Sequence, residues 1–218
     1  MKLKQIFKLV YRRIFFSRVH YLKKELPDCY SALDLGCGSD SLIQHCNISF
    51  SVGVDMFEPY IEKSKKRRIH NQYIKADIRK VEFKPKSFDA VIALEFLEHL
   101  TKEEGYALIK KMEKWAKKKI IISTPNGYVY QNACDKNPFQ EHKSGWTVDE
   151  LKNLGFKIHG VNGLKNLRGQ GGSMKYKPTF LWERISDLTQ KITYYHPRIA
   201  FQLLAVKELD INKNKSLI

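Results

Sequence analysis

The chain has 218 residues, which is enough for one α/β domain and too few for two domains of ordinary size. Hydrophobic residues make up 43% of the sequence, which supports a folded core, and the formal net charge is +16. No apolar run approaches the roughly 20 residues that cross a bilayer, and the basic N-terminus lacks the apolar stretch of a signal peptide, so a cytoplasmic protein is expected.

Residues 1–29 are predicted to contain a basic amphipathic helix. Its apolar residues recur at helical spacing, at Leu3, Ile6, Phe7, Val10 and Ile14. Such a helix would lie across the domain with its charged side in water, contact an anionic membrane through residues 1–20, or close over an acidic substrate. Nucleic acid is the less favoured partner, because no RNA-binding module accompanies the basic residues.

The first predicted strand, near residues 31–35, ends in a glycine turn. Gly36 and Gly38 lack β-carbons, so a ligand could approach the backbone N–H groups of this turn directly. The turn is therefore a candidate cradle for a polar or anionic ligand.

The next three predicted strands each end in an acidic residue. Asp55 lies 19 residues after Gly36, about the separation at which a βαβ unit places a carboxylate against ribose hydroxyls. Asp77 follows the third strand and Glu95 the fourth. Ligands of open parallel sheets bind outside the carboxyl ends of the strands, so the glycine turn and the three acids are predicted to ring a nucleotide-binding crevice.

These residues resemble the class I S-adenosylmethionine-dependent methyltransferases. Within that class they resemble the methyltransferase type 11 group, which includes the ubiquinone and menaquinone biosynthesis enzymes. The resemblance covers roughly residues 30–163 and a closing strand at 200–208. It implies S-adenosyl-L-methionine as the cofactor and an α/β fold, a Rossmann-like doubly wound sheet of seven strands. That sheet is mostly parallel with an antiparallel last strand, and helices cover both faces.

Seven strands are accordingly expected, near 31–35, 51–55, 72–76, 88–94, 119–123, 156–161 and 200–207, with helices between the first five. Residues 30–163 would form the cofactor-binding core. Residues 164–199, which carry three closely spaced glycines and a net charge of +5, would form an insertion that covers the substrate site. In that insertion, Pro178 is predicted to begin a helix with Phe180, Leu181, Ile185 and Leu188 on one face. Residues 209–218 would form a polar tail.

The resemblance also assigns roles to individual residues of the crevice. It places the methionine part of the cofactor on Asp34, Gly36, Cys37 and Gly38, and the ribose on Asp55 beside Met56. Asp77 would accept a hydrogen bond from the adenine amino group, with the Ile78 N–H facing a ring nitrogen. Leu94, Glu95 and His99 would line the methyl-donor end. Ser39-Asp40-Ser41 stands where the family has a third glycine, so the next helix is expected to begin with Asp40 or Ser41 as its N-cap.

His142 and His99 are the candidate catalytic bases for an acceptor that must lose a proton. His142 is favoured, because it precedes a helix that Thr147 and Glu150 would begin with a capping box. Related enzymes often carry a histidine at this position.

The expected reaction is methyl transfer to a small-molecule or lipid- or glycan-linked acceptor, with O-methylation favoured. The alternatives are an RNA or tRNA methyltransferase, a methyltransferase-like protein that binds anionic membranes, and an NAD-dependent oxidoreductase. The oxidoreductase is disfavoured because the sequence lacks a full Gly-x-Gly-x-x-Gly and a hydride-side Tyr/Lys pair. The four cysteines show no zinc-site spacing, so neither a metal nor a disulfide is expected.

Overall fold

The computed structural model describes residues 18–133 and 136–209. The helix predicted near the N-terminus falls mostly outside these residues, as does most of the predicted polar tail. Within the described ranges, no helix combines the length and the apolar character needed to span a membrane.

Seven strands form one sheet, as the sequence predicted. They are β1 (Ser31–Leu35), β2 (Phe50–Asp55), β3 (Gln72–Lys75), β4 (Phe88–Leu94), β5 (Ala116–Pro125), β6 (Lys157–Leu164) and β7 (Ala200–Glu208). Their order across the sheet is β3-β2-β1-β4-β5-β7-β6. The first five strands pair in parallel, and β7 runs antiparallel to β5 and β6. The expected doubly wound sheet with an antiparallel last strand is therefore confirmed.

Five α-helices accompany the sheet in the described residues. They are α1 (Arg18–Glu25), α2 (Glu58–Lys66), α3 (Lys102–Trp115), α4 (Val148–Asn153) and α5 (Thr179–Tyr195). The predicted capping box of α4 is present, since Thr147 accepts from the Glu150 N–H and the Glu150 side chain accepts from the Thr147 N–H. The helix predicted after Pro178 is also present, as α5.

The prediction of a helix in every connection among the first five strands is wrong in two places. Between β1 and β2 there is only a 3₁₀ turn, Leu42–His45, with Ser41 as its N-cap. The Ser41 hydroxyl donates to the Asp34 carboxylate at 2.5 Å, which ties the start of this connection to β1. Between β3 and β4, where every residue is described, there is no helix, and the Lys111 ammonium of α3 donates to two backbone carbonyls of this connection, at Arg79 and Val81.

Alternate residues of the central strands contribute to two apolar layers, one on each face of the sheet. Leu33, Val91 and Ile120 belong to a layer that packs against α3 and α4. Ala32, Ile92 and Ile121 belong to the opposite layer, which packs against α1. This alternation follows from the two-residue period of a strand, and it buries the parallel strands on both sides.

Helix α5 packs its polar side, not its apolar side, against β6. Ser186, Gln190 and Thr193 are buried, whereas Phe180 and Leu188 are exposed. The Gln190 amide donates to the Gly160 carbonyl at 3.0 Å and accepts from the Gly163 N–H at 3.1 Å. A β-carbon at residue 160 would lie 2.1 Å from the Thr193 carbonyl oxygen, so the helix can approach the strand only because residue 160 is glycine.

A buried polar cluster lies beneath the glycine turn. Asp34 is 1% exposed, and its carboxylate lies 3.4 Å from His70 Nε2 in addition to the Ser41 hydroxyl. Burial raises the pKa of Asp34 to about 7 and lowers the pKa of His70 to about 4. His70 is therefore uncharged at neutral pH, and Asp34 titrates there.

We expect Gly160→Ala to lower the free energy of unfolding by about 1–3 kcal/mol, because the added methyl group would overlap the α5 backbone. Urea unfolding of both proteins measures this difference. Gly169→Ala is the matched control, since a β-carbon at residue 169 would meet no atom closer than 3.5 Å. Equal destabilisation by the two substitutions would contradict the proposed close contact.

The raised pKa of Asp34 predicts a pH-dependent difference between the wild type and Asp34→Asn. Between about pH 4 and pH 7 the folded wild type binds a proton that the unfolded chain has released, so its stability falls as the pH rises through this window. The loss relative to Asp34→Asn is up to about 1.4 kcal/mol per pH unit. Unfolding curves at pH 5, 6 and 8 test this, with the exposed Asp40→Asn as control. Parallel profiles for wild type and Asp34→Asn would show that Asp34 does not titrate in this range.

Candidate active site

A cavity of about 150 Å³ lies at the carboxyl ends of β1, β2 and β4. Eight of the eleven residues predicted to bind the cofactor line it, namely Gly36, Gly38, Asp55, Met56, Asp77, Ile78, Glu95 and His99. The cavity lies where the strand order reverses beside β1, the position at which open α/β sheets bind ligands. We call it the first cavity.

The other three predicted residues, Asp34, Cys37 and Leu94, do not line the first cavity. Asp34 belongs to the buried cluster described above. Cys37 is 4% exposed and packs toward Gly53. Leu94 lines a separate small cavity beside Arg18. Successive side chains of a strand point to opposite faces of the sheet. The sequence motif alone does not show which of these side chains face the cavity.

The glycine turn has a backbone conformation that only glycine adopts readily. Gly36 and Gly38 have φ angles of +69° and +57°. A β-carbon at residue 36 would also lie 2.2 Å from the Phe96 ring. No atom lies within 4 Å of a β-carbon placed at residue 38. One side of the turn therefore packs against protein, and the other side is open.

The Asp55 carboxylate holds this turn while it faces the first cavity. One oxygen accepts from the Gly38 N–H and the other from the Phe57 N–H, each at 2.9 Å. Burial raises the pKa of Asp55 above its usual value. Asp77 has a different environment, since the Arg79 guanidinium pairs with it at 2.8 Å and holds its pKa below the usual range.

A second cavity, of about 210 Å³, adjoins the first and shares Glu95, His99 and Gln140 with it. Its wall also includes Glu98, His142 and the two glycines at residues 171 and 172. These residues come from the turn after β4, from the long connection between β5 and α4, and from the segment after β6. The second cavity is therefore built from parts of the chain that are distant in sequence.

Glu95 lies between the two cavities in a constrained position. Its φ angle is +52°, and its backbone N–H donates to the Ser123 carbonyl at 2.9 Å. One carboxylate oxygen accepts from the Ser123 hydroxyl at 2.5 Å and the other from the Gln202 amide. Strands β5 and β7 thus fix the direction of this carboxylate.

The structure brings His99 and His142 together, with ring centroids 5.0 Å apart. His99 Nδ1 lies 3.0 Å from the Glu141 carbonyl oxygen, and His142 Nδ1 lies 2.6 Å from the Val129 carbonyl oxygen. Because a carbonyl only accepts, both rings are assigned the tautomer with the proton on Nδ1, which leaves a lone pair on each Nε2. Burial lowers the pKa of His99, which favours its neutral form.

Glu98 is the third buried polar group beside the two histidines, and it is not among the site residues predicted from the sequence. Its side chain is 2% exposed, and Oε2 has no hydrogen-bond partner among the described residues. Burial, and then the negative charge of Glu95, raises the pKa of Glu98 well above its usual value. Its position one residue before His99 was the only signal available in the sequence.

Other site residues had no signal in the sequence. Arg79, Asn137, Phe139, Gln140 and Lys143 line the first cavity, and Gln131 and Gln202 line the second. Most of them belong to the connection between β5 and α4, which has no regular apolar period. Their places depend on tertiary contacts such as the Lys143 and Ser144 N–H groups, which donate to the Glu98 carbonyl at 2.8 and 3.1 Å.

Comparison with known proteins gives one family match and many structural ones. Residues 33–123 match the family model described as "Methyltransferase domain". A search of curated proteins gives no match. Among solved structures, a SAM-dependent methyltransferase from Archaeoglobus fulgidus is 20% identical, with a TM-score of 0.55 over 93% of this chain and 99% of that one.

Two further structures share the fold. An S-adenosylmethionine-dependent methyltransferase from Mesorhizobium loti is 15% identical, with a TM-score of 0.54 over 88% of this chain and 95% of that one. The plantazolicin methyltransferase BpumL in complex with SAH is 16% identical, with a TM-score of 0.51 over 85% of this chain and 78% of that one. The matched domain, the strand order and this shared fold support the class I S-adenosylmethionine-dependent methyltransferase that the sequence motifs predict.

Proposed function

We propose that the chain transfers a methyl group from S-adenosyl-L-methionine, bound in the first cavity, to a hydroxyl oxygen of an acceptor in the second cavity. The acceptor would be a small molecule or a lipid- or glycan-linked group. The observation that carries this proposal is the pair of imidazoles whose Nε2 lone pairs lie beside a cavity that adjoins the cofactor cavity.

The residues of the first cavity fit the cofactor. Gly38 offers open space at a positive φ angle, so the cofactor can approach the turn closely. The Asp55 carboxylate faces the same space and would accept hydrogen bonds from a ribose diol. Asp77 would accept from the adenine amino group, and Glu95 and His99 would lie at the methyl-donor end. Asp34 and Cys37 would act from beneath the turn, by fixing its shape.

The main contribution of the protein to the reaction would be to position the acceptor relative to the methyl group. S-adenosyl-L-methionine supplies a methyl group on a positively charged sulfur, and the sulfur keeps the bonding electron pair when the methyl group leaves. The protein holds the acceptor oxygen in line with that bond, an effect worth up to roughly 7–11 kcal/mol. An acceptor hydroxyl must also lose its proton, and His142 Nε2 is the favoured acceptor of that proton, which adds about 10²–10⁴-fold.

We propose that residues 164–199 cover the acceptor, as an insertion between the core (30–163) and the closing strand (200–208). Gly171 and Gly172 reach the wall of the second cavity. The Arg168 guanidinium donates to the Gly172 carbonyl at 2.9 Å and to the Asn162 carbonyl at 3.1 Å, which fastens this segment to β6. The insertion would thereby exclude water from the acceptor side.

Peripheral contact with an anionic membrane is a further part of the proposal. The exposed side of α5 carries large apolar residues, namely Phe180, Leu181, Leu188, Ile192 and Tyr195. Tyr194 of α5 stacks on Tyr21 of α1 at 4.2 Å, so the C-terminal part of α5 lies beside α1, and the sequence before α1 is rich in basic residues. Such a surface would suit an acceptor that is itself embedded in lipid.

We expect Asp55→Ala to weaken binding of S-adenosylhomocysteine by at least ~1 kcal/mol, about fivefold in Kd, because the ribose hydroxyls would lose their acceptor. Isothermal titration of the full chain measures the affinity. Asp149→Ala serves as the control, because Asp149 pairs with Arg198 at the surface. Unchanged affinity in Asp55→Ala would exclude Asp55 as the ribose ligand.

The acceptor class is tested with S-adenosyl-L-methionine that carries a labelled methyl group. Incubation with separated lipid, small-molecule and RNA fractions should place the label in the lipid or small-molecule fraction, on oxygen. With the labelled acceptor in hand, His142→Gln should lower kcat by about 10²-fold or more, because glutamine cannot accept the proton, while His159→Gln leaves it unchanged. Labelling of RNA alone, or full activity of His142→Gln, would reject this assignment.

A further inference from the structure

We propose that Glu98, His99 and His142 form a binding site for one divalent transition-metal cation at the wall of the second cavity. Each residue offers one ligand atom, and these three atoms all lie within 4.8 Å of one another. The inference rests on the proposed function in one respect, since a cation here would bind the acceptor oxygen.

Both imidazoles are already in the state that a metal requires. Each Nδ1 faces a backbone carbonyl, of Glu141 for His99 and of Val129 for His142. Metal-binding histidines characteristically donate their second ring N–H to such an acceptor, which fixes the ring and leaves the other nitrogen as the ligand. The two Nε2 lone pairs therefore need no change of tautomer to bind a cation.

The third ligand is independent of the histidines. Glu98 is buried, and its Oε2 has no hydrogen-bond partner among the described side chains and backbone groups. A buried carboxylate oxygen without a partner is costly, and a bound cation is one of the few groups that compensates for it. Glu95, which the Arg18 guanidinium approaches to 3.9 Å, adds a second carboxylate to the same cavity wall.

The distances and donor types indicate which cation. Tetrahedral ligand atoms at about 2.1 Å from one ion are about 3.4 Å apart, so ligation requires the ligand atoms, which lie within 4.8 Å of one another, to close by up to about 1.4 Å. Two imidazoles with one carboxylate favour zinc, iron, manganese or cobalt over magnesium, which prefers oxygen ligands. Three protein ligands leave positions open for the acceptor, as in catalytic metal sites.

A cation at this site would make the second cavity prefer acceptors that carry a hydroxyl group. A hydroxyl bound to a divalent cation has a lowered pKa, and the cation fixes the position of its oxygen. The acceptor class would then be a compound with a hydroxyl, or two adjacent hydroxyls, that can bind a metal. In this arrangement His99 and His142 hold the cation, the acceptor hydroxyl releases its proton to water, and the cation takes over the role that His142 has as a base in the cation-free site.

The test is a titration of the tag-free, chelator-treated full chain with Co²⁺, Mn²⁺ and Zn²⁺, each as the metal alone. We expect one Co²⁺ per chain with a visible absorption band typical of nitrogen and oxygen ligands. Glu98→Gln and His142→Gln should each lower the affinity at least about 10-fold. His159→Gln is the matched control, because His159 is a buried histidine that stacks on Tyr194 at 4.2 Å, outside both cavities.

A parallel titration with S-adenosylhomocysteine separates the two hypotheses and reports whether each variant folds. Cofactor binding without cation binding by the wild type would overturn the metal site and leave the methyltransferase assignment intact. Equal cation affinity in the wild type, Glu98→Gln and His142→Gln, with one ion still bound, would also overturn it. Cation binding that both variants lose, without cofactor binding, would support the metal site and reject the proposed cofactor cavity.

Discussion

The parallel pairing of β1 with β2 on one side and with β4 on the other is the constraint on which the active site depends. Leu33 lies between Val52 and Val91 in this register, so the three strands end at one edge of the sheet. The glycine turn and Glu95 come directly after β1 and β4, and Asp55 is the last residue of β2. Burial of the strands on both faces makes a register shift costly, because it would turn apolar side chains into the wrong layer. The positions of the polar residues are therefore fixed by apolar packing.

A second constraint acts through the backbone of the turn after β4. The Glu98 carbonyl accepts two N–H groups from the connection between β5 and α4, and the His142 N–H donates to the Gln131 carbonyl at 3.1 Å. These bonds place His142 against His99. The connection thus forms a wall of the second cavity although it contains little regular secondary structure.

The acidic side chains of the site differ in how many hydrogen-bond or ion-pair partners the protein gives them. Asp55 is stabilised by two backbone N–H groups, and Asp77 by a guanidinium. Glu95 has hydroxyl and amide donors, whereas Glu98 has an oxygen without any partner in the described chain. Groups whose charge is not compensated by the protein are candidates for contact with a ligand. Glu98 lies at the second cavity, where we propose that the acceptor binds.

The sequence by itself determined the seven strands, their mostly parallel arrangement and the residues at the strand ends, because short apolar runs that end in glycine or acid carry a strong local signal. It also determined the capping box at Thr147 and Glu150. It did not determine the two connections that lack a full helix, in which Ser41 bonds to Asp34 of β1 and Lys111 of α3 bonds to the Arg79 carbonyl. Only the tertiary structure showed that Asp34 points into the core, that α5 presents polar residues to β6, and that Glu98 joins the two histidines. These features depend on which side chains meet across the fold, and no local pattern of residues contains that information.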